Sequence, residues 1–283
     1  MTDLFAALLL GIIEGITEFL PISSTGHLLI AEYWLGRRSD LFNIAIQAGA
    51  ILAVVLIYRQ RLWDLTLGFV GRGAPAGHDP AGLALTPAQS RDYTYKLLVA
   101  FAVTAAGGLL VKALGWQLPE KVMPIAWALI LGGAWMIAAE QLAARRAAAL
   151  GERAEISWLI AILVGIAQVV AGVFPGTSRS GATIFVALLA GTTNRAAATE
   201  FAFLVGIPTM FAATAYELIG MLGDDGAQED WGVLAVAFVA SAITAFVAVK
   251  WLLRYIQSHR FTVFAIYRFV LGVALLLLLP GDA

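Results

Sequence analysis

The chain has 283 residues, 60% hydrophobic and 13% charged, with a mean hydropathy of +0.85. Soluble domains carry about 25% charged residues, so this composition excludes an ordinary soluble domain and indicates an all-α chain crossing a membrane several times. A net charge of −1 gives no basic field for nucleic acid, and the absence of cysteine leaves oxygen or imidazole as the ligands for any metal.

The first apolar stretch, residues 4–30, breaks at Pro21, so neither half reaches the ~20 residues of a full span. A helix–loop–helix hairpin entering the membrane part-way is expected, since irregular backbone at that depth must be buried in protein or line a wet cavity. Asp3 stands where a signal peptide would be basic, and two glutamates interrupt the apolar run, so the segment reads as mature protein. Residues 41–57 make the first full span. The polar segment 58–96, with GRGAPAGHDPAG and His78, reads as a loop carrying a short surface helix near Arg91 to Lys96. Spans follow at 97–112 and 122–144, then a loop marked by Arg145, Arg146 and Arg153. Residues 157–192 repeat the broken pattern at Pro175-Gly176, and spans at 199–222, 231–250 and 261–279 finish the chain. Arg268 interrupts the last span and is expected to snorkel or pair near the inner face. Glu140, Glu200 and Glu217 fall near span ends and need no function there.

Short cytoplasmic loops gather Lys and Arg. That places 58–96, 145–156 and 250–260 inside and the acidic connection 223–230 outside, with Arg37 and Arg38 as an outer-side exception. The two hairpins then enter from opposite faces, each followed by three spans. The expected architecture is six transmembrane helices plus two re-entrant hairpins in a three-plus-three inverted repeat, residues 1–144 and 157–279 of a single membrane domain. At an offset of 154, Gly11, Ile12, Pro21 and Ser24 match Gly165, Ile166, Pro175 and Ser178, and Glu14 falls on Gln168. Such repeats bring their broken tips together near the midplane, so His27 and Arg179 should share one pocket.

Gly176 to Thr183 (GTSRSGAT) offers Arg179, the hydroxyls of Ser178, Ser180 and Thr183, and backbone N–H groups at a helix start, which together make a phosphate-type anion cradle. Helix–helix packing alone also favours small residues, but it would leave a buried Arg unpaired. Glu14 and Glu18 lie one helical turn apart, and two such carboxylates repel unless they hold a cation or share a proton. With an anion opposite, Mg²⁺ or Ca²⁺ is the natural bridge. The competing reading pairs one of them, Glu14 before Glu18, with Arg179. His27 follows Ser24 by three residues, within reach of a hydroxyl as base to nucleophile. Ser23 and Gln47 complete the candidate lining.

These two stretches resemble the undecaprenyl-diphosphate phosphatase family of bacteria, the bacitracin-resistance type of membrane pyrophosphatase. The first family signature has the form EGxTEFLPxSSTGH and the chain reads EGITEFLPISSTGH from Glu14 to His27; the second has the form PGxSRSGxT and the chain reads PGTSRSGAT from Pro175 to Thr183. The resemblance implies hydrolysis of undecaprenyl diphosphate to the monophosphate and inorganic phosphate, a divalent cation, and a site open to the outer face of the cytoplasmic membrane. It maps the family's acidic pair onto Glu14 and Glu18, its serine and histidine onto Ser24 and His27, and its arginine onto Arg179. The implied partner is a polyprenyl diphosphate lipid within the bilayer, and a homodimer is compatible with it.

On this reading Ser24, assisted by His27, attacks the terminal phosphorus held by Arg179, Ser178, Ser180 and Thr183. His27 activating water, or attacking by itself, fits the residues equally. The competing class is a transporter, because inverted repeats with broken helices also build carriers. The carboxylate pair beside Ser24 and His27 favours an enzyme.

Overall fold

A computed structural model describes residues 2–71, 86–116, 121–221 and 230–278, and among them the chain is helical throughout, without a strand. The elements are α1 (Thr2–Thr17), α2 (Ser24–Leu35), α3 (Asp40–Ile57), α4 (Arg59–Phe69), α5 (Pro87–Ala113), α6 (Val122–Leu150), α7 (Trp158–Val173), α8 (Arg179–Ala190), α9 (Arg195–Met221), α10 (Trp231–Ser258) and α11 (Thr262–Leu278). Around His78, along the acidic connection up to residue 229, and at the side chain of Glu217, the sequence reading falls outside the described residues.

Local chemistry sets the helix starts. Ser39 and Ser157 accept hydrogen bonds from the backbone N–H groups of Phe42 and Ile160. Thr86 and Gln89 form a reciprocal capping box with Pro87 in the first turn. Asp230 accepts from Gly232 and Val233. Five helices, α3, α5, α6, α9 and α10, are long and apolar enough to cross a membrane, while α11 has 17 residues and stops just short of that length. The two stretches broken at Pro21 and Pro175 form short helix pairs, α1/α2 and α7/α8.

Several expected loops are helix. Segment 58–96 contains α4, Arg145 and Arg146 continue α6, and residues 250–258 complete α10, while the short helix expected near Arg91 to Lys96 is the opening of α5. Arg, Lys and Gln are good helix formers, and the backbone ladder has no reason to stop where apolar side chains do. The charges also find partners. Arg61 of α4 meets Glu200 of α9 at 2.9 Å, and Arg195 meets Glu140 of α6 at 2.8 Å. Glu140 and Glu200 are therefore buried ties between helices rather than residues at idle span ends.

Packing interleaves the two halves of the chain: α1 and α3 lie on α10, α7 lies on α5 and α8, α3 meets α9, and α6 meets α11. Small residues permit the closest approaches. A Cβ at Gly165 would sit 2.6 Å from the Ala100 carbonyl oxygen of α5, and one at Gly11 would collide with that of Ala237 in α10. In lipid, where apolar contact alone gives helices little reason to associate, such backbone proximity supplies the packing energy. The main core gathers Phe185, Phe201, Phe203 and Phe261, together with Phe19, Leu20 and Ile22 of the first break.

Candidate active site

Both breaks end on the same local device. Ser23 caps α2 and Ser178 caps α8, each from the left-handed region, with φ 75° and 69°. They are the only non-glycine residues at positive φ among the described residues. Each hydroxyl accepts from a backbone N–H three residues on, Gly26 at 3.3 Å and Gly181 at 3.2 Å. A β-carbon in that region costs free energy and persists only where surroundings over-determine it. Here the two tips hold one another: Ser180 Oγ donates to the Leu20 carbonyl at 3.1 Å.

The larger restraint is Arg268, which is 1% exposed. Its Nη1 donates to the carbonyls of Pro21 (3.3 Å) and Thr177 (3.2 Å), its Nη2 to those of Gly176 (3.0 Å) and Ala128 (2.9 Å), and its Nε to that of Leu129 (3.2 Å). All the N–H groups of the guanidinium are thereby used. The expectation that Arg268 snorkels or pairs near the inner face is corrected: it clips both tips to α6. An arginine inside an apolar span with no acid on its own helix was the available signal. Its partners, being backbone oxygens, left no trace in the sequence.

The carboxylates come next. The Glu18 N–H donates to the Glu14 carbonyl at 2.9 Å, so the helical turn continues through Glu18 and both side chains share a face. Glu14 is 0% exposed and Glu18 6%. Ser24 Oγ donates to Glu18 Oε2 in a short hydrogen bond. Arg179 Nη2 lies 3.5 Å from Glu18 Oε1, with its side chain 30% exposed. Glu18, not Glu14, is therefore the acid that meets the arginine. The Glu14 carboxyl lies against that of Glu18, and both of its oxygens are buried without a hydrogen-bond partner. Adjacent carboxylate oxygens with no donor between them call for a proton or a cation.

A cavity of about 490 Å³ opens on this group, and Glu18, Ser23, Ser24, Gln47, Ser178 and Arg179 are among its lining. The remaining expected ligands are placed differently. Thr183 Oγ1 donates back to the Arg179 and Ser180 carbonyls of its own helix, at 2.8 and 3.1 Å, and the Ser180 hydroxyl is spent on Leu20. Both support the cradle from behind. His27 does not share the cavity with Arg179 and does not reach Ser24. Its Nδ1 pairs with the Ser23 carbonyl and its Nε2 with the Tyr267 hydroxyl, each at 2.6 Å, and the His27 and Tyr267 rings stack. Tyr267, 240 positions away, is a partner that local spacing could not reveal. Chemically, the site presents a hydroxyl bonded to a carboxylate, a guanidinium at the same carboxylate, and a second carboxylate in need of positive charge.

Among known proteins, the family model described as bacitracin resistance protein BacA matches residues 7–274. An undecaprenyl-diphosphatase from Rhizobium etli is 66% identical over 275 residues, covering 97% of this chain and 96% of the relative. Undecaprenyl-diphosphatases from Xanthomonas oryzae pv. oryzae and Xanthomonas axonopodis pv. citri are 60% and 59% identical over 284 residues, covering both chains in full.

Proposed function

This chain belongs to the bacitracin resistance protein BacA family, and we propose that its central pocket hydrolyses undecaprenyl diphosphate to undecaprenyl phosphate and inorganic phosphate, the reaction named by relatives that span its whole length. Recycling this lipid carrier serves cell-wall synthesis and fits the family's link to bacitracin resistance. The observation that carries the reading is the Ser24 hydroxyl donating to Glu18 in a cavity that also holds Arg179.

The proposed chemistry follows from those contacts. Arg179, aided by Ser178, Ser23 and Gln47, holds the diphosphate through its planar fork. Glu18 accepts the Ser24 proton as Oγ attacks the terminal phosphorus. The bond from that phosphorus to the bridging oxygen breaks, and undecaprenyl phosphate leaves. Water then attacks the phosphoserine, releasing inorganic phosphate and restoring the Ser24 hydroxyl. His27 acts here by holding the Ser23 carbonyl, and so the strained cap beside Ser24, in place. Positioning and electrostatic stabilisation are what phosphoryl transfer mostly requires.

A divalent cation, Mg²⁺ or Ca²⁺, fits the donor set. The unpartnered Glu14 oxygens and Glu18 would hold it. Among the described residues no cluster of three or more His, Cys, Asp or Glu could hold a metal, so water and phosphate oxygens would complete its shell. When bound, it would neutralise charge building on the phosphoryl oxygens.

The proposed frame is six membrane-spanning helices with α1/α2 and α7/α8 as re-entrant pairs of a three-plus-three inverted repeat, in the bacterial inner membrane with the pocket facing the periplasm. The matched Ser23 and Ser178 caps and the parallel seats of α1 on α10 and α7 on α5 support it. A carrier lacking hydrolysis would have no use for a hydroxyl bonded to a carboxylate.

The test is phosphate release from undecaprenyl diphosphate by purified protein, with Mg²⁺ or Ca²⁺ and with a chelator, beside Glu18→Gln and Arg179→Ala. Metal-dependent release lost in both variants is expected. Release undiminished in both would place the chemistry elsewhere.

A further inference from the structure

Tyr267 takes no part in the chemistry proposed above, yet its hydroxyl ends a chain of contacts that begins at Ser24. Ser24 Oγ donates to Glu18, and the residue before it, Ser23, holds the strained cap at φ 75°. The Ser23 carbonyl lies 2.6 Å from His27 Nδ1, and also accepts from the His27 backbone N–H at 3.3 Å. His27 Nε2 lies 2.6 Å from the Tyr267 hydroxyl, and the two ring planes are 6° apart. For a neutral imidazole the protons along this chain have one consistent placement. A carbonyl only accepts, so Nδ1 carries the ring proton. Nε2 then presents a lone pair, which the Tyr267 hydroxyl fills as donor. The other neutral tautomer would set the Nδ1 lone pair against the Ser23 carbonyl oxygen, two acceptors with no proton between them.

Two adjacent residues of α11 thus hold the first break. Arg268 takes the Pro21 carbonyl directly, and Tyr267 takes the Ser23 carbonyl through His27. Tyr267 is 41% exposed and is not among the residues lining the cavity. Apolar packing alone would be met by phenylalanine, so the use of the hydroxyl lies in its bond to His27. We propose that Tyr267 is a positioning residue for the phosphoryl transfer. Its hydroxyl holds His27 as the Nδ1–H tautomer, His27 holds the Ser23 carbonyl, and Ser24 is thereby kept on Glu18. That role rests on the reading of Ser24 as nucleophile. About an ångström of misplacement can cost on the order of 100-fold in rate, so a hydroxyl outside the pocket acts through the geometry it fixes.

The experiment compares Tyr267→Phe, which keeps the ring and removes the hydroxyl, with His27→Asn, whose amide donates to the Ser23 carbonyl without any tautomer to fix. Phosphate release from undecaprenyl diphosphate by the purified full-length chain gives kcat and KM separately. Tyr267→Phe is expected to lower kcat about 10- to 100-fold and leave KM unchanged. His27→Asn is expected to keep part of the activity. In that background Tyr267→Phe should change kcat less than about twofold, because the two side chains act as one unit. Nitrogen NMR of isotope-labelled histidine, with His27→Asn identifying the resonances, should show only the Nδ1–H form of His27 in the wild type. The Nε2–H form should join it in Tyr267→Phe. Wild-type kcat in Tyr267→Phe, independent effects in the double variant, or complete loss of release in His27→Asn would overturn the role. Failure of the nucleophile reading looks different: near-full kcat in Ser24→Ala, with the tautomer change in Tyr267→Phe still seen.

Discussion

Arg268 donates an Nη1 hydrogen bond to the backbone oxygen of Pro21 at 3.3 Å, across 247 positions of sequence. The same nitrogen reaches Thr177, so one guanidinium joins the two broken tips that frame the pocket. Lysine has three donors on a rotatable ammonium and cannot reproduce this fork. Arg268→Lys is expected to leave at least two of the five backbone acceptors unpaired, lowering stability by about 2–4 kcal/mol. A fall in the thermal midpoint of the detergent-purified protein, with phosphate release lost in parallel, checks it. Full stability and activity in the lysine variant would contradict the clip.

The short Ser24–Glu18 contact separates two ways of activating the nucleophile. If Glu18 takes the proton, Glu18→Gln removes general-base help worth about 100- to 10,000-fold in rate. Ser24→Ala should lose as much, and no phosphoserine should be trapped from it by acid quench. Near-full kcat in Ser24→Ala would instead make water or His27 the attacking group.

The parts of this site legible in sequence were those whose signal is local. Pro21 and Pro175 announced the breaks, the spacing of Glu14 and Glu18 put both on one face, and the run around Arg179 announced an anion cradle. Partners distant in the chain were not legible. His27 follows Ser24 by three residues, yet the cap at Ser23 turns the imidazole toward Tyr267, so proximity in sequence gave the wrong partner. Ser180 and Thr183 looked like ligands because hydroxyls and small residues mark both cradles and turns; in the structure their hydroxyls donate to the Leu20, Arg179 and Ser180 carbonyls. The charged α4 read as loop because its buried face is completed by Glu200, which lies 139 positions from Arg61.

Gly172 tests the shape of the pocket. At the offset that aligns Gly11 with Gly165 it corresponds to Glu18, so one tip carries a carboxylate where the other carries nothing. It lines the cavity, and a Cβ added there meets no atom within 4 Å. Gly172→Ala is expected to gain up to about 1 kcal/mol of helix stability with activity retained. Gly172→Phe should keep the fold but fill the cavity, raising KM for undecaprenyl diphosphate severalfold or more. If KM is unchanged in the phenylalanine variant, this part of the cavity does not hold substrate.

Orientation can be read directly because the chain has no cysteine, so any introduced thiol is the sole one. The proposed orientation puts the α2–α3 connection outside, despite Arg37 and Arg38, and the end of α10 inside. Arg37 and Ser258 are both exposed, and neither substitution disturbs a helix core. In intact cells Arg37→Cys should react with a membrane-impermeant maleimide, whereas Ser258→Cys should react only after the membrane is opened. The pocket, which Arg37 helps to line, would then face the periplasm. The reverse labelling pattern would turn the pocket toward the cytoplasm and require the lipid diphosphate to be hydrolysed from that side.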